Sequence, residues 1–169
     1  MENNHNKFIN MDSMFYNCNS LKLLDLSGFS ANINNMSKMF YNCNSITSIY
    51  IYKFRTHKVE KMDSMFFNCY KLSRLYINNF NTDNVDSMEN MFANCKALPS
   101  LSLQNFNTAK VTKMNSMFLN CKTLSSLDLR SFDVSNVTNM ESMFENCYFL
   151  NSLNINFGAS KVTNLSSMF

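Results

Sequence analysis

All six cysteines fall on one grid: Cys18, Cys43, Cys69, Cys95, Cys121 and Cys147 are separated by 25, 26, 26, 26 and 26 residues. The methionines keep the same register. Met11, Met36, Met62, Met88, Met114 and Met140, with Leu165 replacing the seventh, recur with a second column, Met14, Met39, Met65, Met91, Met117, Met143 and Met168, three residues later. Only Met1 of the 14 methionines lies off the grid. The unit reads M-x-x-M-F-x-N-C-x-x-L-x-x-L-x-L-x-x-F-x-T-x-x-V-x-x. A period of this length denotes a stacked array in which each unit buries its apolar face against its neighbours. Six full repeats and a partial seventh fill the chain. We therefore expect a short tail over residues 1–7 and one solenoid domain over 8–169.

Composition supports a packed array and narrows the function classes. Hydrophobic residues make up 46% and charged residues 16% of the 169 positions, which excludes disorder and collagen-like folds. A net charge of +3 is too small to argue for a nucleic-acid binder, and no apolar run reaches the roughly 20 residues of a membrane span. With only two glycines and one proline, the turns must be built by Asn, Asp, Ser and Thr. Both length changes in the array, at Phe29–Ile33 and near Ile155–Phe157, follow the L-x-x-L-x-L segment, so a loop is expected there.

Within a unit the apolar period changes. Val59, Met62, Met65, Phe66 and Cys69 recur at three- and four-residue steps, as one face of a short helix does, whereas Leu24/Leu26 and Ile49/Ile51 alternate as in a strand. Thr138 with Glu141, and Asp86 with Glu89, match a capping box at the start of that helix. The Asn before each Cys either takes the left-handed conformation that closes a helix or bonds to its counterparts as a ladder. The expected fold class is α/β: a right-handed solenoid with one short parallel strand and one short helix per coil.

The segments MFYNCNSLKLLDLSGF, MFFNCYKLSRLYINNF and MFLNCKTLSSLDLRSF resemble the BspA-like leucine-rich repeats of bacterial surface proteins, over Phe8 to Phe169. The resemblance implies a solenoid used for adhesion or protein–protein contact, at the cell surface or secreted. The chain begins without a signal peptide, lipid-anchor cysteine or polar capping unit, which leaves an intracellular location open. It stops in mid-unit at Met168–Phe169, and the expectation is a fragment of a longer array, with end-to-end self-association as the alternative.

Chemistry is sparsely represented. His5 lies in the tail and His57 in a loop, and the thiols occupy core positions, so no nucleophile can be given a base. Gly28 and Gly158 build no phosphate loop. M-x-x-M beside Cys offers soft ligands for Cu(I), but the same positions form the apolar face, and Met is an adaptable core filler. The cysteines lack C-x-x-C pairing and are expected as buried free thiols. No enzyme activity, metal or cofactor is expected.

Function in a solenoid resides in solvent-facing positions that break the repeat. On the strand face these flank the inward apolar pair, and most, such as Ser48, Ser100, Ser102, Ser126 and Asn154, are small and polar. Tyr50, Tyr52, Arg74 and Tyr76 depart from that pattern on adjacent strands, with the composition of a binding hot spot. Lys53, Arg55, His57 and Lys58 form a basic edge beside them. The reading is a non-catalytic scaffold whose strand face binds a protein. The alternative is a glycan- or anion-binding module at the Tyr/Arg patch, and a nucleic-acid partner is not expected.

Overall fold

A computed structural model of the chain describes residues 7–156, 158 and 161–169. The expected tail over residues 1–7, except Lys7, and His5 with it, lie outside the described residues, as does Phe157 at the second length change. The chain winds as a β-solenoid of about six turns, and all of its strand pairs are parallel.

Two parallel ladders run along the solenoid. On one side, β2 (Leu23–Asp25), β4 (Ser48–Tyr50) and β5 (Arg74–Tyr76) form one sheet, and β6 (Ser126–Leu129) pairs with β7 (Ser152–Ile155). On another, β1 (Phe8–Asn10) pairs with β3 (Asn32–Asn35). That ladder continues as single bridges from Asn35 through Lys61, Ser87, Lys113 and Asn139 to Asn164. Leucine and isoleucine alternation produces the first ladder: Ile49 and Ile51 point inward and are fully buried.

The expected helix is absent: among the described residues no helix forms, and the M-x-x-M-F-x-N-C segment is a chain of turns. Hydrogen bonding explains why. In coil three the amides of Met62, Ser64, Phe66 and Asn68 donate to carbonyls of the next coil, those of Ser87, Glu89, Met91 and Ala93. The alternate amides of Met65, Phe67 and Cys69 donate three residues back, to Met62, Ser64 and Phe66. A helix would commit each of these amides to its own coil and leave none for stacking. Ser64 (φ 54°) and Asn68 (φ 61°) adopt left-handed backbone, and the same two positions do so in nearly every coil. That conformation every fourth residue cannot propagate a right-handed helix. Three-residue spacing thus arises from successive turns that carry Met62, Met65, Phe66 and Cys69 inward, all fully buried.

The capping boxes do not form either. Thr138 Oγ1 donates to the Thr112 carbonyl of the previous coil at 3.2 Å, and the Glu141 amide donates to Asn139 Oδ1 at 2.9 Å. The corners are Asx turns of this second kind, also at Asn10, Asn35, Asn81, Asn107 and Asn164, which bears out the expected turn chemistry.

The Asn before each Cys takes the left-handed conformation, closing a turn and not a helix, and most of the column also bonds as a ladder. Asn42, Asn68, Asn94 and Asn120 are left-handed, and each donates its Nδ2 to the Oδ1 of the Asn one coil earlier at 2.7–2.9 Å. Seven rings, Phe15, Phe40, Phe66, Phe92, Phe118, Phe144 and Phe169, stack along the core with centroids 5.4–5.6 Å apart. The repeated Thr has a polar task. Buried Thr56 and Thr82 each donate to a carbonyl and accept from an amide of the following coil, at Asn81 and Asn107. This satisfies backbone groups that burial would otherwise strand, at about 1–3 kcal/mol each.

Candidate functional site

The tyrosine patch is assembled by strand register. Ser48 pairs with Arg74, Ile49 with Leu75 and Tyr50 with Tyr76. The ring of Tyr50 stacks on Tyr76 at 6.2 Å and 18°, while Tyr52, in the turn after β4, closes the group at 5.8 Å from Tyr50 and 6.2 Å from Tyr76. Asn79 Nδ2 donates to the Tyr52 carbonyl at 2.7 Å and ties that turn to the next coil. Tyr52 and Tyr76 are 45% and 48% exposed, so the cluster presents ring surface to solvent without being loose. The Tyr52 phenol is held above its usual range, first by partial desolvation among the rings and then by the acidic groups of Tyr50, Tyr76 and Asp25.

Arg74 pairs with Ser48, two residues before Tyr76 on the same strand and next to the stacked rings. Ser48, counted among the solvent-facing positions, is buried. Asp25 does align with Tyr50, and its carboxyl is held below the usual range by the Ser27 hydroxyl and amide.

The basic edge is exposed at all four positions: Lys53, Arg55, His57 and Lys58. Its backbone is nonetheless well placed. Arg55 donates its amide to Ala31 and accepts from Ile33, and His57 accepts from Asn84 Nδ2 and packs its ring edge-on against Phe8 at 6.1 Å. Among the described residues the one ion pair lies elsewhere, between Arg130 and Asp128 at 2.6 Å, and it holds the Asp128 carboxyl below its usual range.

The cysteines are all free, and four are fully buried. Each thiol from Cys43 onward donates to the carbonyl of a Phe in the preceding coil at 3.1–3.3 Å. Burial pushes Cys43 and Cys147 up to about 11 and Cys69, Cys95 and Cys121 well above the ordinary thiol value. Such thiols are neutral donors and poor nucleophiles at neutral pH. No group of three or more His, Cys, Asp or Glu suited to a metal occurs among the described residues, and these contain no helix long and apolar enough to cross a membrane.

Sequence reasoning missed one feature of this face. Pro99 occupies the position taken by Thr47, Ser73, Ser125 and Asn151 in other coils. Those four residues donate their amides to the preceding coil, at Lys22, Thr47, Pro99 and Ser125. Proline cannot donate. No strand pairing joins β5 to coil four, which keeps a single bridge, Ser100 with Ser126. The sole proline of the chain, in a column of donors, was the available signal.

The parallel ladders, the inward Leu/Ile column and the polar strand face define a leucine-rich-repeat-like solenoid, a repeat scaffold. A solved leucine-rich repeat protein of T. pallidum shares this fold, with a TM-score of 0.50 and 17% sequence identity over 78% of this chain and 67% of that one. A family model described as "Mycoplasma protein of unknown function, DUF285" matches residues 9–124 and again 73–169, so the chain belongs to that family. No curated protein matches it.

Proposed function

We propose that the protein is a non-catalytic adhesion scaffold that binds a protein partner through its strand face, with Tyr50, Tyr52, Arg74 and Tyr76 as the energetic centre. The observation that carries this reading is the three-ring cluster on a face otherwise built of small polar residues. Half-exposed tyrosines, ordered by stacking, lose little conformational freedom on binding, and clustered Tyr and Arg dominate protein interfaces. The basic edge at Lys53, Arg55, His57 and Lys58 borders the same coil and steers an acidic partner toward the rings. The bacterial surface repeats that the sequence resembles support a cell-surface or secreted setting.

The test is binding of the labelled protein to a protein array and to cultured cells, in wild type and in Tyr52→Ala and Tyr76→Ala. Loss of the wild-type signal by about tenfold or more in the variants, with unchanged melting, is expected for truncated hot-spot residues. Undiminished binding by both variants removes the patch. Binding confined to glycans establishes the glycan-binding alternative instead.

A further inference from the structure

We infer that the turn following the Cys column in coils three to six is a docking ridge for an anionic lipid-bilayer surface. It is a second contact site, apart from the strand face.

The two residues after each Cys break the repeat. In coils one and two they are Asn19-Ser20 and Asn44-Ser45, and in coils three to six they become Tyr70-Lys71, Lys96-Ala97, Lys122-Thr123 and Tyr148-Phe149. The backbone holds them in a common geometry. The amides of Tyr70, Lys96 and Lys122 each donate to the carbonyl of the ladder asparagine two residues back, at 2.9 Å. Thr123 Oγ1 donates across to the Lys96 carbonyl at 3.0 Å and fixes coil five against coil four. With about 4.8 Å between neighbouring coils, the ridge from Tyr70 to Tyr148 runs for ~14 Å.

The ridge is cationic and uncompensated. Lys96 and Lys122 are like charges in register on adjacent coils, an arrangement that works against stacking. Each lies over a tyrosine on its outer side, Lys96 Nζ at 4.5 Å from the centre of the Tyr70 ring and Lys122 Nζ at 5.4 Å from that of Tyr148. Lys71 is exposed beside them. No acidic residue occurs in the pair after Cys in any coil, and Glu145 is the sole acid between the Phe and Leu that bracket these turns. Among the described residues the one ion pair, Arg130 with Asp128, belongs to the strand side.

Charge complementarity calls for an anionic partner, and the aromatic residues select which kind. The lysines cover a face of both tyrosine rings, where a base or a sugar would otherwise stack. What remains outward is Tyr148 and Phe149, 69% and 67% exposed. Aromatic rings beside lysine are the composition of a bilayer interface, where the rings sit at headgroup depth and the ammonium groups reach lipid phosphates. Phe149 has no polar atom to offer a soluble polyanion, whereas insertion among headgroups removes its apolar surface from water.

The experiment floats the full chain with vesicles of phosphatidylcholine alone, and of phosphatidylcholine and phosphatidylglycerol in equal parts. We expect binding to the second and not to the first, lost as salt shortens the screening length. Lys96→Gln with Lys122→Gln should weaken vesicle partitioning by about tenfold or more. Phe149→Ser should weaken it several-fold with the salt dependence unchanged. Lys110→Gln with Lys161→Gln removes the same charge from another corner and should bind as wild type, as should Tyr76→Ala. Unchanged melting shows that each variant is folded.

The inference is overturned if both vesicle types bind alike or if Lys96→Gln with Lys122→Gln binds as wild type. It is equally overturned if Lys110→Gln with Lys161→Gln loses as much, since net charge then accounts for the binding. Full vesicle binding by Phe149→Ser, together with competition by soluble polyglutamate, removes the bilayer and assigns the ridge to acidic protein segments. Loss of partner binding in Tyr76→Ala with vesicle binding kept shows that the strand face and the ridge act separately, so either reading can fail without the other.

Discussion

Asn94 tests the packing logic of the whole array. Its backbone is left-handed (φ 65°), its Nδ2 donates to Asn68 Oδ1 at 2.8 Å, and its Oδ1 accepts from Asn120 Nδ2 at 2.9 Å. Replacing it by alanine removes both side-chain bonds and leaves half-buried partners on two coils, at about 1 kcal/mol each. It also places a Cβ in left-handed backbone without the local polar bonding that lets Asn tolerate it, for a further ~1–2 kcal/mol. Asn94→Ala should therefore cost about 3–4 kcal/mol. Asn94→Gly loses the same bonds but carries no left-handed penalty. Glycine adds ~0.5–1 kcal/mol of chain entropy, so it should remain less damaging than alanine by roughly 0.5–1 kcal/mol. Urea unfolding followed by far-UV circular dichroism reads both values, compared at matched slopes because repeat arrays can depart from two-state behaviour. If Gly proves as damaging as Ala, the left-handed penalty is no larger than the added chain entropy of glycine, about 0.5–1 kcal/mol, and below the ~1–2 kcal/mol used here. If both variants cost less than about 0.5 kcal/mol, the asparagine ladder contributes no stability.

Phe92→Ala, which opens the middle of the seven-ring stack, should cost about 3–5 kcal/mol by chemical denaturation, against under about 1.5 kcal/mol for a volume-conserving core exchange such as Met91→Leu. The buried thiols give a pH signature. Their folded pKa values lie above the ordinary 9, at about 11 for Cys43 and Cys147, so the folded state holds more protons above pH 9. Stability should be fully present below pH 9 and fall as pH rises through 9 to 11, and replacing Cys43 by alanine should flatten that decline. At pH 8 a thiol reagent should leave Cys69, Cys95 and Cys121 unmodified in the folded protein and react with all six cysteines in urea. Reaction of those three under native conditions contradicts the closed ladder. Copper titration of reduced protein should bind less than one equivalent per chain, since Met and Cys are committed to the core.

The periodic array, its inward Met, Phe, Cys and Leu columns, the Asx corners and the exposed tyrosines were all legible in the chain, because stacked units must present the same residue to the same environment in every coil. Ser48 illustrates the limit: alternation along the strand placed it on the solvent face, but the stacked coils bury it. The helix illustrates a deeper one. Apolar residues at steps of three and four satisfy a helix and a succession of left-handed turns equally well, since both return the side chain to one face. The choice depends on where the backbone amides find partners, and in this array every second amide of the turn segment bonds to the neighbouring coil. That partner lies 24 or 25 residues away along the chain and adjacent in space. The gap at Pro99 follows from the same physics. One missing amide is a local property of the residue, but its effect, a break in the strand pairing next to β5, exists only once the coils are stacked.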